Sequence, residues 1–348
     1  MQPAPPTPAE FRELVEAAIR FRESTPWEQV ADDQVFGVLD PEADEIGYAS
    51  IVGQQGLTHG LTLFPGQSGL ASLRRMQFEL LPENRDDVLL EMRSLLCTYE
   101  PTTTLGSRDR LLLELAGFEL RRGEVWPCFV SHEPGYGSWT VNGAEARLLT
   151  IALDQALLMA RALAQDSLLL DRGHPGEFLV RTPVDLPASG AWTDCWMRPP
   201  DTRDIRASQL DELTSARLAR LPRIADCEWE VDAMTGLGLF AERPSVRPCV
   251  LRTLTIIERG SGFMHNSDAF PAPDFVRDVA RLFTERVLSI GYRPRRILVR
   301  DYDLRELLAE VAKSMDCKLL RVQYLPRIEA AQKLLREHMN ERRDAASR

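Results

Sequence analysis

Residues 226–340 alternate apolar and turn-forming segments in an order that few folds can accommodate. ADCEWEVDAM, RPCVLRTLTIIE and GFMHNSDAF are three strand-like runs joined by turn residues. PAPDFVRDVARLFTERVLSIG follows with helical spacing: Phe275, Val279, Leu282, Phe283 and Ile290 form its stripe, prolines precede it, and Gly291 stops it. RRILVRD, DLRELLAEVAKSM, CKLLRVQY and PRIEAAQKLLREHM then alternate strand and helix. The order is β-β-β-α-β-α-β-α. Parallel strands joined through helices cross over right-handedly, so the last two strands should extend one mixed sheet in parallel.

The first half reads differently, as α+β. Phe11, Leu14, Val15, Ala18, Ile19 and Phe21 recur at near-helical spacing. QVFGVLD and EIGYASIVG flank the turn-prone PEADE as a hairpin, and LTHGLTLF supplies a third strand ended by Pro65 and Gly66. Short helices are expected over SGLASLRRM, around Asp86–Cys97 and around Arg108–Leu115. GEVWPCFVSHEPGYGSW is extended, and AEARLLTIALDQALLMARALAQD is a long helix with an apolar stripe broad enough to be mostly buried. The loop DRGHPGE then divides the chain into a domain at 1–170 and a second at 176–348, whose core spans about 226–340. FLVRTP and WTDCWMR, a hairpin around VDLPASGA, fall on the second side of that division, and SQLDELTSARLARL is a linking helix.

Charge divides the chain at the same place. The net charge is -10, made of -12 over residues 1–175 and +2 over residues 176–348; the first fifty residues carry -8 and residues 251–348 carry +5. An acidic first half repels nucleic acid and anionic membrane, whereas the second tolerates a phosphate backbone. No apolar run approaches the ~18 residues that cross a bilayer, and MQPAPPTPAEF lacks the basic and apolar regions of a signal peptide. Six scattered cysteines with no CxxC pair fit free thiols in a cytoplasmic protein. The five histidines show neither HxH nor HExxH spacing, which argues against zinc.

Several first-half motifs suggest chemistry that the local pattern does not support. Gly53, Gly56 and Gly60 precede a strand rather than open a helix, so they are hairpin glycines and not a phosphate loop. Cys128 and His132, four apart on an extended segment, are read as a packed thiol and a surface imidazole rather than as nucleophile and base. Trp126, Phe129, Tyr136 and Trp139 are read as core and loop anchors.

PWEQVADDQVFGVLDPEADEIGYASIVG, GLTLFPGQSGL and VWPCFVSHEPGYGSW together resemble an uncharacterised bacterial two-domain family whose parts carry domain-of-unknown-function labels. The C-terminal RPRRILVRD…LP pattern resembles its partner domain. That resemblance implies no activity. A second one is topological and covers about the last third of the chain. The element order resembles the ribonuclease H-like superfamily, in which acids from the first strand, the fourth strand and the last helix converge on two magnesium ions. The resemblance implies matching positions here at Asp232, Asp301 and Glu329. Paired divalent ions clamp the attacking and leaving oxygens of a phosphodiester, and clustered carboxylates supply the hard ligands they require.

Each of these acids also has a structural reading. Asp303-Leu-Arg-Glu306 is a capping box beside which Asp301 helps to start a helix, and Glu329 near a helix N-terminus is favoured by the dipole. Asp232 follows Glu228 and Glu230 at period two, as on an exposed acidic strand face. Arg293, Arg295 and Arg296 enter their strand from the far end and are poor candidates for contacting a scissile phosphate. Two functions are therefore expected to compete. One is a non-enzymatic cytoplasmic binding or accessory protein that uses its acidic domain against a protein partner. The other is a magnesium- or manganese-dependent phosphodiester hydrolase acting on nucleic acid through Asp232, Asp301 and Glu329.

Overall fold

The computed structural model describes residues 3–56, 58–78, 90–184, 191–199, 210–241, 243 and 246–334. The chain divides into two compact units: Met1–Pro134 with Ser138–Thr202, and Gly135–Gly137 with Arg203–Arg348.

The first unit is built on a seven-stranded sheet. Its strands are β1 (Val35–Asp40), β2 (Glu45–Val52), β3 (Gly60–Pro65), β4 (Ser94–Pro101), β5 (Val125–His132), β6 (Phe178–Pro183) and β7 (Trp192–Met197), in the order β5-β4-β3-β2-β1-β6-β7. Among the described residues of this unit only the β1–β6 pairing is parallel. Helix α1 (Pro8–Glu23) starts at a capping box in which Thr7 and Glu10 satisfy each other's backbone N–H groups. It packs with α4 (Gly143–Gln165) over one sheet face, where Phe36, Ala49, Ile51, Leu63 and Cys97 are buried with Leu14, Phe21, Leu149 and Leu153. Helix α2 (Gly66–Phe78) covers the opposite face through Leu70 and Leu73, against Tyr48 and Phe64. Helix α3 spans Ser107–Leu115. Among the described residues α4 alone is long and apolar enough to cross a membrane, with a mean hydropathy of 1.2. Here it is the unit's core helix.

Two expectations change in this unit. The segment expected as a helix around Asp86–Cys97 becomes strand β4 from Ser94 onward, and residues 86–89 lie outside the described residues. Leu95 and Cys97 are both fully buried while the strand pairs with β3 on one side and β5 on the other. That central position overrides the local helical pattern. The hairpin β6–β7, expected in the second domain, completes the first sheet through the pairs Gly37↔Val180 and Val38↔Arg181. Its turn, at 185–190, lies outside the described residues.

The second unit reproduces the expected element order. After α5 (Glu212–Ala219) come β8 (Glu228–Phe240), β9 (Cys249–Glu258), β10 (Met264–Pro271), α6 (Phe275–Ile290), β11 (Arg296–Val299), α7 (Tyr302–Ser314), β12 (Lys318–Arg321) and α8, described over residues 326–334. The sheet order is β10-β9-β8-β11-β12. Strands β8, β9 and β10 run antiparallel, and β11 is parallel to both β8 and β12. Trp229 and Val231 of β8 face a core shared with α6 and α7. A smaller apolar cluster, Ile257, Leu298, Leu325 and Ile328, seats the start of α8. Gly291, at φ 82°, ends α6 in the left-handed conformation that glycine adopts without strain.

Candidate functional site: a carboxylate row on the central strand

Residues two apart on a strand share a face. Glu228, Glu230 and Asp232 therefore form one row on β8, opposite to the face that buries Trp229 and Val231. This row is not the exposed acidic face that the sequence also allowed. Glu230 is fully buried and Asp232 is 6% exposed. Each acid meets its own set of positive partners.

Glu228 faces three guanidinium groups: Arg296 Nε at 3.2 Å, Arg259 Nη1 at 3.4 Å and Arg295 Nη2 at 3.6 Å. Glu230 Oε2 accepts from the backbone N–H groups of Arg327 (2.9 Å) and Ile328 (3.2 Å), in the first turn of α8, where the helix end carries partial positive charge. Its Oε1 accepts no hydrogen bond, and Arg259 Nε lies 3.7 Å away. Asp232 Oδ2 accepts from Arg300 Nη2 at 3.0 Å, and its Oδ1 from the N–H of Ala233.

The register explains why Arg300 stands there. On β11, Arg296 pairs with Glu228 and Leu298 with Glu230, so Arg300 comes level with Asp232. The Arg300 carbonyl accepts from Arg321 Nε at 3.2 Å, which holds this turn of chain to the end of β12. Its other terminal nitrogen, Nη1, is 3.9 Å from Glu329 Oε1.

Two of the three acids singled out by the sequence thus share one arginine. Asp232 and Glu329 flank the Arg300 guanidinium. Asp301 is the N-cap of α7, its Oδ1 accepting from the Leu304 N–H at 2.7 Å. The cap is therefore Asp301 itself, and the helix starts one residue before the expected Asp303 capping box. Glu329 also accepts from the Leu325 N–H at 3.2 Å and so helps to close the start of α8. Burial pushes the Asp232 carboxyl above its ordinary value; Arg300 pulls it back down, and the nearby Asp301 carboxylate pushes it up.

This arrangement does not fit a pair of divalent ions. Arg300 lies where a bridging cation would neutralise Asp232 and Glu329, and Asp301 is bound to a helix N-terminus. Among the described residues no group of three or more His, Cys, Asp or Glu side chains is placed to hold a metal. Arg300 was the contributor missed by a search for acids, and Glu230 was read only as part of an exposed strand face. RILVR carries arginine at both ends, Arg296 on β11 and Arg300 just past it, at a spacing that matches the acids of β8 only once the two strands are paired.

The first-half candidates resolve more simply. Gly53 and Gly56, at φ 140° and 76°, sit in the connection between β2 and β3. Burial pushes the Cys128 thiol up to about 12, so it stays protonated at neutral pH. His132 lies within 2.9 Å of Ser138 Oγ and 3.3 Å of Ser94 Oγ. Trp126 packs edge-on against Phe118, and the Arg108 guanidinium lies 3.7 Å over the Trp139 ring.

Residues 11–181 match a domain family described as Domain of unknown function (DUF7309), and residues 214–336 match Domain of unknown function (DUF6930). The chain is a two-domain protein that joins them. The first match ends at Arg181, on β6, so the DUF7309 domain reaches into the strand that pairs with β1. The DUF6930 domain holds the whole carboxylate row with Arg300, Asp301 and Glu329. No curated protein and no solved structure matches the chain.

Proposed function

We propose that this chain is a non-enzymatic binding or accessory protein, with the DUF7309 domain as its partner-binding half. One observation carries this reading: Asp232, Asp301 and Glu329 are already engaged, by the Arg300 guanidinium and by the starts of α7 and α8. A phosphodiester hydrolase would need them free to hold cations. The acidic side of the proposal rests on charge. A cavity of about 420 Å³ in the first unit is lined by Glu10, Glu13, Asp40 and Glu42, with Arg147 bridging Glu10 and Glu42. Such a surface favours a cationic partner and disfavours phosphate. Cys97, Cys128, Cys195, Cys227, Cys249 and Cys317 are all free thiols, which supports a reducing, cytoplasmic setting.

The competing reading draws support from the strand order and from the approach of Asp232 and Glu329 to one guanidinium. Hydrolysis of bis(p-nitrophenyl) phosphate and of single-stranded nucleic acid, with magnesium or manganese, separates the two. The expected result is no turnover above that of Asp232→Asn. Turnover by the wild type that Asp232→Asn abolishes would sink the accessory reading.

A further inference from the structure

The end of the second sheet at which β8, β11 and β12 begin carries a surplus of positive charge. Arg296 pairs in register with Glu228 on β8 and with Lys318 on β12. Arg295 immediately precedes β11, and Arg259 immediately follows β9. Backbone bonds fix all four cations there. The Arg259 N–H donates to the Glu228 carbonyl at 2.9 Å, the Arg295 N–H to the Cys227 carbonyl at 2.8 Å, and the Lys318 N–H to the Arg295 carbonyl at 3.2 Å. Three of the four share the Glu228 carboxylate, at the 3.2–3.6 Å already described. Arg259 also reaches Glu230 Oε1 with its Nε at 3.7 Å. Lys318 is exposed on the edge strand and has no side-chain partner among the described residues. Asp316, two residues before it, is held by Arg223 at 3.3 Å.

We propose that this strand end, with Arg259, Arg295, Arg296 and Lys318, is a docking surface for an acidic polypeptide segment. One carboxylate cancels one of the three guanidinium charges around it, and the rest repel one another until further anions arrive. Each guanidinium has five N–H donors in a planar fork suited to carboxylates. The side chains of Arg259, Arg295 and Arg296 are 51%, 41% and 38% exposed, so donors not aimed at Glu228 are open to an incoming ligand. Glu228 itself shows which anion the geometry accepts, since it is a carboxylate seated among three arginines. A nucleic acid fits less well. Its charges recur every ~1.7 Å along a duplex and run on past the patch, where the chain's net charge of -10 repels them. A short acidic segment meets the patch alone. The inference goes beyond the accessory reading: the first unit's acidic surface favours a cationic partner, and this face gives the second unit an acidic one.

The test is fluorescence anisotropy of a labelled peptide of about ten glutamates, titrated with the full chain. Wild type is expected to bind at about 50 mM salt and to release most of the peptide at about 500 mM, where charges more than a few ångströms apart are screened. Lys318→Glu and Arg295→Glu should each weaken binding roughly five- to tenfold, because each turns an attraction into a repulsion. Glu228→Gln should tighten it severalfold by removing the carboxylate that competes for the same arginines. Arg281→Gln, which removes an exposed cation of α6, should leave it unchanged. Lys318→Glu is the decisive variant, since the fold makes no use of that side chain and its effect is read on a folded protein. No binding by wild type at low salt would overturn the inference. So would binding that Lys318→Glu leaves intact or that Arg281→Gln weakens as much, or tighter binding of a single-stranded oligonucleotide of similar charge. Every titration is made in EDTA, so phosphodiester hydrolysis with added metal reports on the accessory reading separately.

Discussion

Asp232 shows how a single residue can satisfy two descriptions until its neighbours are known. Burial raises its folded-state pKa, with Arg300 opposing and Asp301 adding to the rise. A carboxyl raised in this way holds its proton more tightly folded than unfolded, so its contribution to stability is largest at low pH. That contribution falls as pH climbs from the unfolded value, about 3.9, through the raised folded value. Asp232→Asn cannot titrate. Wild type should therefore be more stable relative to Asp232→Asn at pH 4 than at pH 7.5, as measured by urea unfolding at both. A difference that grows towards pH 7.5 would mean that Arg300 dominates the site more than burial does. The sequence showed Asp232 and its period-two neighbours plainly. It hid Arg300, because the match between Glu228 and Arg296, and hence between Asp232 and Arg300, exists only once β8 and β11 lie parallel in register.

At the scale of elements, the start of α7 decides what Asp301 is for. Its side chain accepts from the Leu304 N–H, the geometry of an N-cap. Asparagine caps about as well as aspartate, whereas alanine leaves the N–H without a partner and costs about 1 kcal/mol. Chemical denaturation should therefore find Asp301→Asn within a few tenths of wild type and Asp301→Ala lower by about that amount. Equal losses in the two variants would show that the charge, not the cap, is what the fold uses. Elements with strong periodicity were legible: α1, α6, β9 and β10 formed where the spacing put them, and β8 formed there too but runs on to Phe240, past the end of ADCEWEVDAM. Strand β4 was not, because Leu95, Leu96 and the apolar residues before them also satisfy a helical stripe. Only its place between β3 and β5 makes Ser94–Pro101 a strand.

For the whole molecule, the charge asymmetry and the loop DRGHPGE pointed to a division near residue 175, yet the first sheet continues past it. Leu179 and Val180 of β6 are 3% and 0% exposed, and Trp192 and Trp196 pack on the same core. Burying a leucine or valine side chain is worth about 1.5–3 kcal/mol, against a total domain stability of about 5–15 kcal/mol. A fragment ending at residue 175 thus loses a large share of what holds the first unit together, and it exposes the edge of β1 as an unpaired template. The expected outcome is cooperative unfolding for residues 1–199 and aggregation or a non-cooperative transition for residues 1–175, read by circular dichroism on heating. The second unit has its own asymmetry, since it includes Gly135–Gly137. There the Gly137 N–H donates to the Pro248 carbonyl, the Val250 N–H to the Gly135 carbonyl, and Arg247 Nε to the Gly137 carbonyl. Residues 203–348 alone lack those three partners, and Arg247 is 9% exposed, so a buried charge loses an acceptor. That fragment should therefore fold with a lower midpoint than the same unit shows in the full chain. Equal midpoints would mean that the Gly135–Gly137 segment adds no stability, and that the second unit is complete from residue 203 onward.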